Sequence, residues 1–71
     1  MSVSAIVFNA LMQILEAKQP IPARALVEAM RQAGHGPLES KRAIQLAFER
    51  GRIRLDEQMR VVMVESHLAA A

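Results

Sequence analysis

Arginine is the residue with the most chemistry to offer in this chain. Arg42, Arg50, Arg52, Arg54 and Arg60, with Lys41 beside them, fall between residues 41 and 60. A guanidinium is planar, permanently charged and carries a fork of donors that matches a phosphate or a guanine edge. That concentration points to binding a polyanion. The 71 residues carry 9 Lys and Arg against 7 Asp and Glu, a net charge of +2. In residues 1–30, Lys18 and Arg24 are balanced by Glu16 and Glu28, so the positive excess sits in the second half.

Other chemistries lack their residues. Asp56 is the sole aspartate, and no serine stands in a recognisable nucleophile, base and acid arrangement. There is no phosphate-binding glycine loop. His35 and His67 are far apart and the chain has no cysteine, so a zinc site with three or four protein ligands is not expected. A chain this short also leaves little room for a water-excluding pocket of about 300 Å³ or more. The reading is therefore of a non-enzyme without metal, cofactor or small-molecule substrate. No apolar run approaches the ~20 residues a membrane span needs, and no basic region precedes Ser4-Ala5-Ile6-Val7-Phe8 as in a secretory signal. A soluble, cytoplasmic protein follows as the expectation.

The elements that must position the arginines are readable from periodicity. Residues 1–71 form one domain, with a core at about 3–64 and a frayed tail at 65–71. A first helix is expected from about Val3 to Lys18, capped by Ser2 or Ser4, with Val7, Phe8, Leu11, Ile14 and Leu15 on its inner face. Gln19-Pro20-Ile21-Pro22 stops it. Ile21 is placed to form a short strand, and Pro22 to be the first residue of a second helix ending near Ala33. That helix buries Leu26, Ala29, Met30 and Ala33 and sets Arg24 beside Glu28 on its surface. Gly34-His35-Gly36 is a turn, with Gly34 in the left-handed conformation. A third helix runs from about Pro37 to Arg50 and buries Ser40, Ile44, Ala47 and Phe48, with Ala43 beside them. Arg42, Gln45, Leu46 and Glu49 face outward.

After Gly51 the period changes from helical to alternating. Arg52-Ile53-Arg54-Leu55 sets its arginines on one face, Asp56 to Met59 is a polar turn, and Arg60 to Val64 is a second strand. A two-residue loop pairs Ile53 with Val62, and a loop of three pairs it with Val61. The second strand is apolar on both faces and decides neither register.

Helix, proline link, helix, glycine turn, helix, glycine, strand, turn, strand resembles a winged helix-turn-helix domain. The fold class is then α+β, mostly α: a three-helix core followed by a two-stranded β-hairpin wing. Ala43-Ile44-Gln45-Leu46-Ala47-Phe48-Glu49-Arg50-Gly51-Arg52-Ile53-Arg54-Leu55 is similar to the end of a recognition helix entering a wing. The resemblance covers about residues 5 to 64 and rests on residue classes, not on invariant side chains. It implies a partner, double-stranded DNA, and a small transcriptional regulator or mobile-element protein. The third helix would enter the major groove with Arg42, Gln45 and Leu46 toward the bases. Lys41, Arg50, Arg52, Arg54 and Arg60 would meet phosphates. Specificity from one such module calls for a homodimer or larger complex, for which Ile6, Met12 and the strand Val61 to Val64 are candidate surfaces.

A competing reading is a protein–protein interaction module, an adaptor or inhibitor of the same fold, because fold alone does not set function. The low net charge, Glu39, Glu49 and an outward Leu46 speak for it, and charged wing residues also serve to discourage strand aggregation.

Overall fold

The computed structural model describes residues 4–64. Three helices, α1 (Ala5–Lys18), α2 (Ala23–Gln32) and α3 (Pro37–Glu49), are joined to three short strands, β1 (Ile21–Pro22), β2 (Ile53–Leu55) and β3 (Arg60–Met63). The strands form one antiparallel sheet in the order β1-β3-β2. The expected frayed tail, His67 and the alternative cap Ser2 lie outside the described residues.

Ser4 caps α1, its hydroxyl accepting from the Ile6 backbone N–H at 3.1 Å. Such a bond satisfies one of the donors that a helix start leaves open. Val7, Leu11 and Leu15 are buried as the period requires. Met12, expected on a partner surface, is buried as well. The core meets α1 across a wider arc than its main stripe, because both α2 and α3 lie against it. The link after α1 includes a cis Gln19–Pro20 peptide. Pro22 precedes α2 as its N-cap and pairs with Arg60 in the sheet, so it lies one position before the place expected of it. Leu26 and Met30 are the buried residues of α2, while Ala29 is half-buried and Ala33 exposed. The exposure of Ala33 corrects the expected inner face and follows from its place as C-cap, where the chain already leaves the helix.

Both remaining helix ends close in the same way. At α2, the Gly34 N–H donates to the Arg31 carbonyl and the His35 N–H to that of Met30. At α3, the Gly51 N–H donates to Phe48 and the Arg52 N–H to Ala47. These paired bonds are the Schellman pattern, which needs a left-handed residue just past the C-cap. Gly34 and Gly51 supply it, at φ +96° and +70°. Ser40, fully buried on α3, donates its hydroxyl to the Gly36 carbonyl at 2.8 Å, so its burial leaves no orphan polar atom. Phe48, expected inside with Ile44 and Ala47, is 38% exposed. It stands one turn beyond Ile44 on the flank of α3, where the small Ala47 takes the inward position.

The hairpin register differs from both expectations: Ile53 pairs with Met63 and Leu55 with Val61. The loop has three residues, Glu57 to Met59, closed by the Asp56 N–H on the Arg60 carbonyl at 2.8 Å. Asp56 decides this. Its carboxylate accepts from the Gln58 and Arg60 backbone N–H groups and from the Arg60 guanidinium, which shifts the loop by one residue toward the C-terminus. β3 is the central strand: β1 pairs with it at Arg60 and Val61 and β2 from Val61 to Met63, so of the stretch from Val61 to Val64 it is Val61 that has strand partners on both edges. The expected strand at Ile21 forms, and the sheet has three strands where a hairpin alone has two.

The third loop residue, Met59, sits at φ +65°. A left-handed residue closes three-residue hairpin loops, and glycine is the residue that takes this conformation without strain. Met59 is 68% exposed and has little packing to lose. Met59→Gly is expected to stabilise the fold by about 0.5–1 kcal/mol, measurable as a rise in the denaturant midpoint at unchanged slope.

Candidate nucleic-acid interface

The cations gather in three places. The first is a solvent-open hollow of about 1090 Å³ between α2 and α3, lined by Pro22, Ala23, Ala25, Val27, Pro37 and Ile44, with Arg24, Glu28 and Lys41 among them. It is larger than chain length suggested, but it is a groove and not a water-excluding cavity. Lys41 thus lies on the flank of α3 that faces α2. Glu28 does not pair with Arg24 as its spacing allows. Its carboxylate accepts from Arg31, with Nε at 3.0 Å and Nη2 on the second oxygen, and from Gln32. Arginine C-terminal to glutamate is the order that suits the helix dipole. The contact lowers the Glu28 pKa, chiefly through the hydrogen bond from Arg31, and leaves Arg24 without an ion pair among the described residues.

The second place is the other flank of α3, where its C-terminus meets α1. Arg50 is the C-cap, and Arg52 follows the left-handed Gly51. Their guanidinium carbons lie 5.7 and 5.8 Å from the centroid of the Phe8 ring. Both distances fall within cation–π range, where the electron-rich face of the ring attracts a positive charge by about 0.5–1 kcal/mol at an exposed site. Neither arginine has an ion pair among the described residues. The expectation that Arg52 and Arg54 share a strand face is therefore replaced. β2 begins only at Ile53, so Arg52 belongs to the helix-ending turn and is drawn to α1, while Arg54 is exposed in the strand opposite Val62.

The third place is the hairpin end. Arg54 and Arg60 line a shallow hollow of about 330 Å³ together with Asp56, Glu57 and Gln58. Arg60 is held by Asp56, Nε to Oδ2 at 2.9 Å. Two carboxylates thus balance two guanidiniums there, and Arg54 is the cation of this end without an ion pair among the described residues.

The outward face of α3 lies between the first two groups. Gln45 and Glu49 are exposed on it, with Leu38 62% exposed at its N-terminal end. Arg42 is half-buried and is not a free cation, and Leu46, expected outward, is half-buried also. Ile6 stands 73% exposed on α1. Sequence reasoning missed Phe8 as a site residue by assigning it to the core alone. Being one of two aromatic residues was its only signal. His35 is half-buried in its turn, and no group of three His, Cys, Asp or Glu suited to a metal ion occurs among the described residues. No helix there is long and apolar enough to cross a membrane. Comparison with protein-family models, with curated proteins and with solved structures finds no match to this chain.

The hairpin end carries a pH dependence of known sign. The backbone N–H of Arg60, first, and then that of Gln58 and the Arg60 side chain hold the Asp56 carboxyl below its ordinary pKa. A carboxylate with a lowered native pKa adds stability that is fully present above the unfolded value of about 3.9 and is lost as the pH falls through the native one. Asp56→Asn is expected to lower the unfolding midpoint at pH 7 and to flatten its decline below about pH 4, as followed by thermal melts across that range.

Proposed function

We propose that the chain is a winged helix-turn-helix module that binds double-stranded DNA, with α3 in the major groove and the β2–β3 hairpin as the wing. One observation carries the reading. The outward face of α3 is bracketed by cations on both flanks, Arg24 and Lys41 toward α2 and Arg50 and Arg52 toward α1. A helix seated in a groove about 12 Å wide has a phosphate backbone on each side, and charges on both flanks suit that placement. Gln45 is the candidate reader of an adenine edge, and Arg42 contributes toward guanine from its half-buried position. Arg54 reaches the backbone from the wing, whereas the charge of Arg60 is largely spent on Asp56. A module of this size buries about 600–1,000 Å² on DNA. Useful specificity then calls for a second copy or a larger complex, and Ile6 on α1 is the candidate contact for it. A transcriptional regulator or a mobile-element protein is the role that fits.

A second reading has an observation of its own. Leu38 and Phe48 are exposed on α3, and Glu49 is exposed on the same helix. An apolar and acidic contribution to the presented face favours a protein partner over a phosphate backbone.

Fluorescence anisotropy with a mixed-sequence duplex separates the two. The parent chain is expected to bind at low salt and to lose affinity steeply as salt rises. Arg52→Glu with Arg54→Glu should weaken binding and reduce the log–log salt slope by about two. Absence of binding by the parent at low salt rules the DNA reading out, and a salt-insensitive complex with a protein favours the second reading.

A further inference from the structure

Arg50 and Arg52 are separated in sequence by Gly51 alone, yet α-helical geometry would send residues two apart in different directions. The left-handed Gly51 ends the helix between them and lets both side chains return to one ring on α1. Their charges cannot be farther apart than the two ring distances combined. The dipole at the end of α3 accounts for a basic residue there, but not for two guanidiniums within cation–π reach of one aromatic ring carried by a different helix. A ring attracts both cations without neutralising either. It therefore restricts their motion while leaving their N–H donors available, and no carboxylate among the described residues pairs with them.

We propose that Phe8 is a positioning residue, holding Arg50 and Arg52 as a paired guanidinium site for a phosphate group. The ligand chemistry is a phosphate oxyanion taken by two forks of donors, the arrangement that makes arginine the preferred phosphate partner. It is supplied either by the backbone of a nucleic acid or by a free phosphate. The nucleic-acid source rests on the function proposed above, and the site itself does not. Prior ordering of the arginines reduces the side-chain entropy lost on binding, so the contribution of Phe8 is to affinity and not to the number of charges engaged.

The test uses the full chain and follows the Nε–Hε signals of Arg50 and Arg52 by NMR, with inorganic pyrophosphate and a mixed-sequence DNA duplex as separate probes. In the free protein both signals are expected to be displaced by the ring current, in the parent and in Phe8→Tyr but not in Phe8→Leu. Both should move on titration, and Phe8→Leu should raise the dissociation constant by about three- to fivefold, with Phe8→Tyr restoring it. In an Arg50→Gln, Arg52→Gln background, Phe8→Leu should cost nothing further. The proposal is overturned if neither probe moves the two signals, if Phe8→Leu binds as well as the parent, or if its cost is unchanged without the arginines. Movement with pyrophosphate and none with DNA keeps the site and removes the nucleic-acid reading. Should Phe8→Leu fail to fold, the arginines decide: losses from Arg50→Gln and Arg52→Gln that fail to add support a shared site, and additive losses refute it.

Discussion

Val61 is paired on both edges, to Ile21 on one side and Leu55 on the other, and its side chain is fully buried. A two-stranded hairpin is marginal by itself in water. Here the strand between Ile21 and Leu55 is gripped from both sides, and its residues Val61 and Met63 join Ile53 against the helices. The direction in which the hairpin leaves the helical body follows from that grip. β1 is only two residues long, and Gln19 extends its hold: the side-chain oxygen accepts the Met63 N–H at 2.7 Å, where a longer strand would offer its backbone. Everything the hairpin carries, Arg54 and the Asp56–Arg60 pair included, is placed by this pairing.

The second junction is the end of α3. A helix leaves its last carbonyls unsatisfied, and the Gly51 turn satisfies two of them while redirecting the chain into β2. The same turn determines the surface charge. It places Arg50 at the cap and Arg52 just beyond it, and the Phe8 ring collects both. Local backbone chemistry and long-range electrostatics thus meet at one glycine. A charge seven residues from the middle of a helix face is therefore found on its flank, beside another helix, and not in line with the strand that follows.

Charge counting alone misjudges this surface. Arg31 is spent on Glu28 and Arg60 on Asp56, so the arginines that a charge count adds together are not equivalent. What distinguishes Arg50 and Arg52 is the kind of partner each has. A carboxylate cancels a guanidinium, whereas an aromatic face orders it and leaves its field intact. Arg24 and Lys41 differ again, standing over an apolar hollow with solvent access. The balance among these three environments, more than the net charge of +2, sets what the molecule attracts.

The order of elements was legible in the sequence because it is written in short-range terms. Apolar period, prolines after Lys18 and glycines after Ala33 and Arg50 act within a few residues of themselves, and three helices followed by two strands resulted, with Ile21 marked as a third. Met12 and Phe48 were misplaced because an amphipathic pattern tells which side of a helix is apolar but not how wide an arc its neighbours cover. The hairpin register escaped because β3 is apolar on both faces, and Asp56, a residue outside the strands, chose it. The basic residues of the candidate site were visible as a group, but their pairing with Asp56 and with Phe8 was not. Phe8 and Arg50 are brought together only when α1 packs on α3. A contact between residues so far apart in the chain exists only after the core has closed, and no spacing rule reports it.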